Sequence, residues 1–577
     1  MKRDDQFLRK GYFRTLYPIM LSVLGGTINA LIDSAFVSQR LGQEGLAAIN
    51  LSITVTLIIC TVGSLIGGGA SVASSIEAGR DNLDEAKRYY CHAFFSALIA
   101  GAVISAAGIA LCSQLVSLLV QGSGLYTYVY SYCFVAFAGA IFSIVVYVPT
   151  YYLQLEGKNT AISIMMGIVI GVDVLLDYLF LFVMDMGMIG ASLASVISTI
   201  AACVYGFIML ESGYSNYHIQ AERLRLSYIR KIIRFGSPTA LNNFLDFIKL
   251  LLLNGIILYY GGTSALAVWA VLNCLSEFAM SITSGVPQAA APMSGTYYSA
   301  RENSGLRIIV KLQVKAGLLL TAAYAAVIIA LTPAFERLFA IDSGLLLPLL
   351  CLGAFLIFEM LAGIWVSFFQ ATQRIFLSNL LVLCRKLLFP VLFACVMAFG
   401  GGYIFLFLPL GAILTLFAGA LATSICCYKS QKTDRPLSRL LLLDDSLERE
   451  NKVIDFSILP TSENICEASE QIADFCSANH MDGKQTMRIA LAIEELICVL
   501  NEKNEDLPSV DLRAFALNDI TGIRIRCAGI RYNPFEDSGD EDLLMGVQMI
   551  NKMADAVLYT YSLGMNTINI VFGNETD

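Results

Sequence analysis

The chain has 577 residues, of which 56% are hydrophobic and only 15% charged, with a mean hydropathy of +0.67. Soluble globular chains carry about 25% charged residues, so an ordinary soluble, disordered or fibrous protein is excluded and most of the chain belongs in a bilayer. The charge is uneven: residues 1–440 carry a net +7 and residues 441–577 a net −15, which together make the −8 of the whole chain. That pattern separates a membrane part from an acidic soluble part and argues against a nucleic-acid partner.

A membrane-spanning helix needs about 20 apolar residues. Twelve such stretches are predicted, near 15–38, 46–72, 90–112, 129–152, 160–183, 188–210, 237–259, 265–290, 313–333, 345–370, 376–398 and 402–427. Helices are the expected form, because backbone groups in lipid must bond within their own segment. Met1-Lys-Arg-Asp-Asp precedes a first run too long for a cleaved leader, so no signal peptide is expected.

Lys and Arg set the direction. With the N-terminus inside, 23 of them fall on the inner side, among them Arg9, Arg80, Lys158, Arg230 and Arg374. Only Arg40 and Arg337 fall outside. A multi-pass protein of the inner membrane, in contact with its lipids and with both termini cytoplasmic, is predicted.

The spans divide six and six around the long loop 211–236, giving lobes over 1–210 and 237–429. The halves match at an offset of 220: Pro18 with Pro238, Gly42 with Gly262, Leu46-Ala47 with Leu266-Ala267. Six is even, so the repeats are parallel and a central cavity is expected between the lobes.

Six acids fall within these apolar runs: Asp33, Asp173, Asp177, Asp246, Glu277 and Glu359. Each costs about 2.5–3.5 kcal/mol or more at a helix centre, so each should face a cavity or a partner. Asp173 and Asp177 are four apart and share a helix face. Carboxylates gathered there repel one another unless they hold a proton or a cation, which is the chemistry of ion coupling; capping or local pairing near the span ends is the plainer alternative. Asp246 and Lys249, three apart, could neutralise each other. Glu277 and Glu359 are candidate cavity acids, and Arg385-Lys386 either neutralises a neighbouring helix or lines the cavity. The 15 cysteines lie mostly in apolar runs and form no CxxC, and there are three histidines. No zinc or haem site is predicted.

With these motifs in place, residues 10–430 resemble the MATE (multidrug and toxin extrusion) transporters. The resemblance rests on Pro18, Asn29, Asp33-Ser-Ala-Phe-Val37 and Leu46-Ala-Ala-Ile-Asn50. In the second half it rests on Gly236-Ser-Pro238, Asn254, Gly261-Gly262, Gly285-Val-Pro-Gln288 and Pro292. Gly187-Met-Ile-Gly190 and Gln370-Ala-Thr-Gln-Arg374 add to it. It implies a secondary antiporter that exports a small organic, often cationic compound in exchange for Na+ or H+ by alternating access. It also implies a cation site at Asp33, Asp173, Asp177 and Ser195, with Asp33 and Asp177 as the Na+ ligands. Asp173 stands where the family has Asn, and Ser195 where it has Thr. Asp246, Glu277 and Glu359 are carried as cavity or substrate residues. Two other readings stay open: a lipid-linked oligosaccharide flippase of the same superfamily, and a membrane-tethered ATP-binding signalling protein.

After a polar linker over 430–450 comes a domain over 451–577 with the order strand, helix, helix, strand, strand, helix, strand, strand. The alternation of Thr567-Ile-Asn-Ile-Val-Phe572 marks a half-buried strand. The domain resembles GHKL-type ATPases, nearest to anti-sigma-factor serine kinases, through Ala490-Leu-Ala-Ile-Glu-Glu-Leu496, Cys527-Ala-Gly-Ile-Arg-Tyr-Asn-Pro-Phe535 and Met545-Gly-Val-Gln-Met-Ile-Asn-Lys-Met-Ala-Asp555. Counted from Glu495, the family's magnesium-binding Asn falls at Val499 and its adenine-binding Asp at Cys527, while Gly529 and Gly546 remain. A degenerate nucleotide site and a regulatory module, with a cytoplasmic protein as partner, are therefore expected. The whole chain is predicted as an all-α polytopic membrane protein of twelve helices in two parallel lobes, followed by a cytoplasmic α/β sandwich. It is expected to be a transporter with no catalytic residues.

Overall fold

The computed structural model describes residues 5–573 apart from 81, 121–124, 213–214, 221–223, 339–343, 429–434, 451, 480, 504–506, 508, 518–519, 536–544 and 563. The first part of the expected linker, and the start of the expected helix near 541, lie outside the described residues. These residues form two compact bodies. One is the helical bundle Thr15–Ala300 with Val310–Ala422; the other combines Met1–Arg14, Arg301–Ile309 and Thr423–Asp577.

In chain order the helices are α1 (Asp5–Ala78), α2 (Leu83–Val120), α3 (Tyr126–Ala138), α4 (Ala140–Val145), α5 (Tyr147–Leu155), α6 (Asn159–Asp177) and α7 (Gly187–Glu211). The second half gives α8 (Leu226–Ser299), α9 (Asn303–Ala330), α10 (Thr332–Leu338), α11 (Leu346–Ala371), α12 (Ile375–Leu383), α13 (Phe389–Phe399) and α14 (Phe407–Tyr428). Among the described residues nine helical stretches are long and apolar enough to cross a membrane. The pair Tyr126–Ala138 and Ala140–Leu155, bent by 60°, makes a tenth if taken as one span.

The remaining two expected spans, 237–259 and 265–290, lie inside α8. The Trp269 indole N–H donates to Asn254 Oδ1 at 2.8 Å. Residues fifteen apart on a straight helix would be separated by about 22 Å, so α8 doubles back between them, where Gly261-Gly262 sits. The first two spans likewise share α1, broken at Gly42, whose φ of 69° is a left-handed conformation that side-chain-bearing residues avoid. Both paired helices are 74 residues long, so the 220-residue repeat is visible in the fold. Each lobe also interrupts its fifth span with a π-helical turn, Tyr178–Val183 in one and Cys384–Leu388 in the other; such turns often accompany functional sites.

Each lobe has its own apolar core. One gathers Val37, Val55, Tyr90, Phe137 and Tyr152, the other Leu253, Trp269, Leu272, Leu352 and Phe407. The lobes meet along glycines. A Cβ on Gly69 would strike the backbone of Ile232 and Gly236, and one on Gly79 would strike Thr296 and Ser299, so only hydrogen atoms permit this approach.

The second body holds α15 (Pro436–Leu441), α16 (Ser446–Arg449), β1 (Val453–Ile458), α17 (Ser462–Ala478), α18 (Gly483–Lys503), β2 (Val510–Leu517), β3 (Ile520–Ala528), α19 (Met545–Met553), β4 (Ala556–Ser562) and β5 (Met565–Gly573). The strands form one antiparallel sheet in the order β1-β2-β3-β5-β4. Alternation sends Leu512, Ile523, Ile525, Ile568 and Ile570 into a core with Ile472, Ile493 and Leu496 of α17 and α18. The opposite parity, Arg513, Arg524, Arg526 and Asn569, is polar and equally buried. Thr461 caps α17 by accepting from the Asn464 N–H at 3.5 Å.

Candidate functional site

The first lobe brings three acids together from two elements. Asp33 comes from the first half of α1, Asp173 and Asp177 from the last turn and a half of α6. Asp173 and Asp177 are each 1% exposed, and the Asp33 carboxyl is within hydrogen-bonding reach of both. Two ionised carboxylates offer only acceptors to each other. Contact between them requires a shared proton or a bridging cation.

Asp173 is the best-satisfied member. Asn29 Nδ2 donates to its Oδ2 at 2.5 Å, and the Ser198 hydroxyl donates to its Oδ1 at 3.3 Å. Ser195, one turn before Ser198 on α7, is also within reach of Asp173, while its hydroxyl bonds Ala191 O at 3.3 Å. By contrast Asp33 Oδ1, both Asp177 carboxylate oxygens and Asn29 Oδ1 are buried with no N–H or O–H donor from the described residues. Among the described residues none of the three acids makes an ion pair with Lys, Arg or His. No group of three or more His, Cys, Asp or Glu is arranged there as a metal-holding cluster. Asn29 and Ser195 also line a cavity of about 460 Å³ with Tyr132, Tyr147 and Thr199, which gives the cluster a space next to it.

The second lobe treats its acids differently. Lys249 Nζ donates to Asp246 at 2.8 Å, and Lys386 reaches both Asp246 at 3.0 Å and Glu359 at 3.2 Å. Arg385 Nε lies 3.3 Å from Glu359, and the same guanidinium donates to Asn242 Oδ1 at 2.6 Å. The π-helical turn at Cys384–Leu388 carries both basic residues. Glu277 stands near this network but is exposed and outside its hydrogen bonds.

Between the lobes lies a cavity of about 500 Å³, lined by Ser71, Tyr147, Tyr151 and Gln154 of the first lobe and Asn243, Met280, Gln370, Glu359 and Arg385 of the second. The Tyr147 and Tyr151 rings stack at 6.4 Å. Gln154 crosses it to donate to Gln288 O at 2.7 Å, and Thr27 Oγ1 meets Ser281 Oγ at 2.5 Å. The cavity has aromatic and amide walls with one acid and one base, suited to an organic molecule with a few polar groups.

The sequence singled out Asp33, Asp173 and Asp177, and the fold brings them together. It passed over Ser198, which the helical step from Ser195 could have suggested, and the role of Asn29, whose neutral amide gives no signal in an apolar run. In the tail, Val499 is 2% exposed. Cys527 lies in the core, and burial pushes its thiol up to about 12, so it stays protonated. Glu495 is half-buried on α18. Gly529 has a φ of 151°, and Gly546 belongs to α19.

A family model described as MatE matches residues 18–179. Multidrug export protein MepA of Staphylococcus aureus (strain NCTC 8325 / PS 47) is 22% identical over 312 residues, covering 54% of this chain and 69% of that protein. The MepA of Staphylococcus haemolyticus (strain JCSC1435) is 21% identical over 295 residues, covering 50% and 64%. A solved structure of a multidrug resistance MATE family transporter of the MOP superfamily, in an outward-facing conformation, is similar with a TM-score of 0.69 at 22% identity. It covers 74% of this chain and 97% of that one. A MOP superfamily transporter from Pyrococcus furiosus Vc1 (DSM3638), described as having a binding pocket of reverse polarity, gives 0.68 over the same shares at 22% identity.

Proposed function

We propose that this chain, whose residues 18–179 match the MatE family model, is a multidrug-type antiporter that exports small organic compounds from the cytoplasm across the inner membrane, with both termini cytoplasmic. The observation that carries this reading is the cluster of Asp33, Asp173 and Asp177, in mutual contact and without a basic partner among the described residues. Such a cluster exists in one charge state when a small cation is present and in another when it has left, and that difference can drive a two-state cycle.

The proton is the coupling ion we favour, because carboxyl groups in hydrogen-bond contact need a hydrogen between them. Na+ is the second reading. It is supported by four buried oxygens of Asn29, Asp33 and Asp177 that no N–H or O–H group of the described residues donates to, a hard donor set that suits that ion. The substrate occupies the central cavity. Rocking of the lobes about their glycine seams exposes that cavity to each side in turn.

The test is export of an organic cation from proteoliposomes with pH and Na+ gradients imposed separately. An outward-high proton gradient alone should drive export. Export driven only by Na+ selects the second reading, and export indifferent to both would remove the antiporter reading.

The tail domain is read as a GHKL-like module that has lost nucleotide chemistry and regulates the transporter. Val499 and Cys527 are both apolar core residues at the positions where magnesium and adenine would need polar ligands. Titration of the full-length protein with Mg-ATP should show no binding; a saturable, magnesium-dependent signal would overturn this.

A further inference from the structure

The outer face of the tail sheet presents an unusual arrangement of charge. Arg513 on β2 stands directly opposite Arg524 on β3, and Arg526 follows two residues later on the same face. Like charges placed opposite one another across strands are destabilising, and these three are buried, at 4–6% exposure. Buried guanidinium groups need carboxylate partners. Arg513 has one in Asp455 of β1, at 3.1 Å. Arg526 stands opposite buried Asp511 of β2, and Arg524 and Arg526 share a further carboxylate from the α8–α9 connection. Glu302, between α8 and α9, accepts from Arg524 at 2.9 Å and from Arg526 at 2.7 Å, one oxygen to each, and is 0% exposed. Arg524 also bonds Asn569 of β5.

The neighbouring residues reinforce this grip. Arg513 donates to Arg301 O at 2.9 Å, and Ser304 donates to Asp455 at 2.7 Å. Arg307 binds Asp445 at 2.9 Å and Glu448 at 2.7 Å. The body that holds these contacts includes Met1–Arg14, which begins the first lobe, and Arg301–Ile309, which lies within the second. Both segments are covalently continuous with the lobes, one through α1 and the other through the α8–α9 connection.

We propose that the outer sheet face is a carboxylate-binding clamp with Glu302 as its ligand in cis, and that the closed clamp restrains the transport cycle. This rests on the regulatory reading of the tail and gives it a mechanism. Release of Glu302, by a competing acidic partner or by substitution, frees the α8–α9 connection and speeds export.

The experiment uses the full chain in lipid nanodiscs and proteoliposomes, comparing Glu302→Gln, Arg526→Gln, and the exchanged set Glu302→Arg with Arg524→Glu and Arg526→Glu. In the two single variants, amide hydrogen exchange over 303–309 should accelerate at least about tenfold, and initial export should rise about fivefold or more. The exchanged set should recover both values toward wild type, which covers the case where a single variant folds poorly. Unchanged exchange in the single variants overturns the clamp. Faster exchange with unaltered export overturns the restraint. Arg307→Gln in the full chain, which breaks the separate contacts to Asp445 and Glu448, separates this from the regulatory reading. If it exports faster than wild type while Glu302→Gln does not, only the clamp fails; if neither variant alters export, the regulatory reading fails as well.

Discussion

The two lobes share a repeated helix pattern yet manage buried charge in opposite ways. In the first lobe three carboxylates adjoin one another and none is ion-paired to a base among the described residues. In the second, Asp246 and Glu359 are tied to Lys249, Lys386 and Arg385. At the 220-residue offset the positions matching Arg385 and Lys386 are Met165 and Met166, and those matching Asp33, Asp173 and Asp177 are Leu253, Phe393 and Met397. Neither arrangement has a counterpart in the other half. Covalently attached cations cannot leave, so Asp246 and Glu359 are permanently neutralised. The first lobe's acids require something exchangeable. This contrast is the ground for our proposal that ion coupling belongs to the first lobe and structural cohesion to the second.

The largest effect that would break this contrast is on stability. Lys386→Met removes a buried cation shared by Glu359 and Asp246 and leaves Glu359, which is 4% exposed, with Arg385 alone. The expected loss is about 3 kcal/mol, the low end for breaking a buried ion pair, read as a large fall in the thermal midpoint of the purified protein. Lys249→Met should cost only about 1 kcal/mol, because Asp246 is partly exposed and retains Lys386. At the small end, Asp177→Asn should leave the midpoint unchanged or raise it, since it removes a buried repulsion and no ion pair. A midpoint that falls as far for Asp177→Asn as for Lys386→Met would show that both lobes use their acids structurally.

The sequence made the first lobe's site legible because a carboxylate within an apolar run is costly wherever it stands, and a spacing of four places two of them on one face. The Asp246–Lys249 pair was legible for the same local reason. Lys386 and Arg385 were ambiguous, since their partners on α8 and α11 are far away in the chain and only packing decides between a neighbour and a cavity. The nine spans among the described residues, or ten with the bent pair, could be located by hydropathy. The 60° bend at Gly139 and the two π-helical turns could not, because they depend on how one helix fits another. In the tail, strand alternation gave the elements, and the inward parity gave the core. The burial of Arg524 and Arg526 was not legible, because Glu302, which packs against them, lies more than two hundred residues upstream.

The central claim is that the first lobe's acids carry the coupling ion. Its most direct test is export by Asp33→Asn and Asp177→Asn proteins in proteoliposomes under an imposed ion gradient, with substrate binding measured in parallel. The account predicts that substrate still binds while gradient-driven export falls at least about a hundredfold, toward the background of empty vesicles. Export at wild-type rates in either variant, driven by the same gradient, would contradict it.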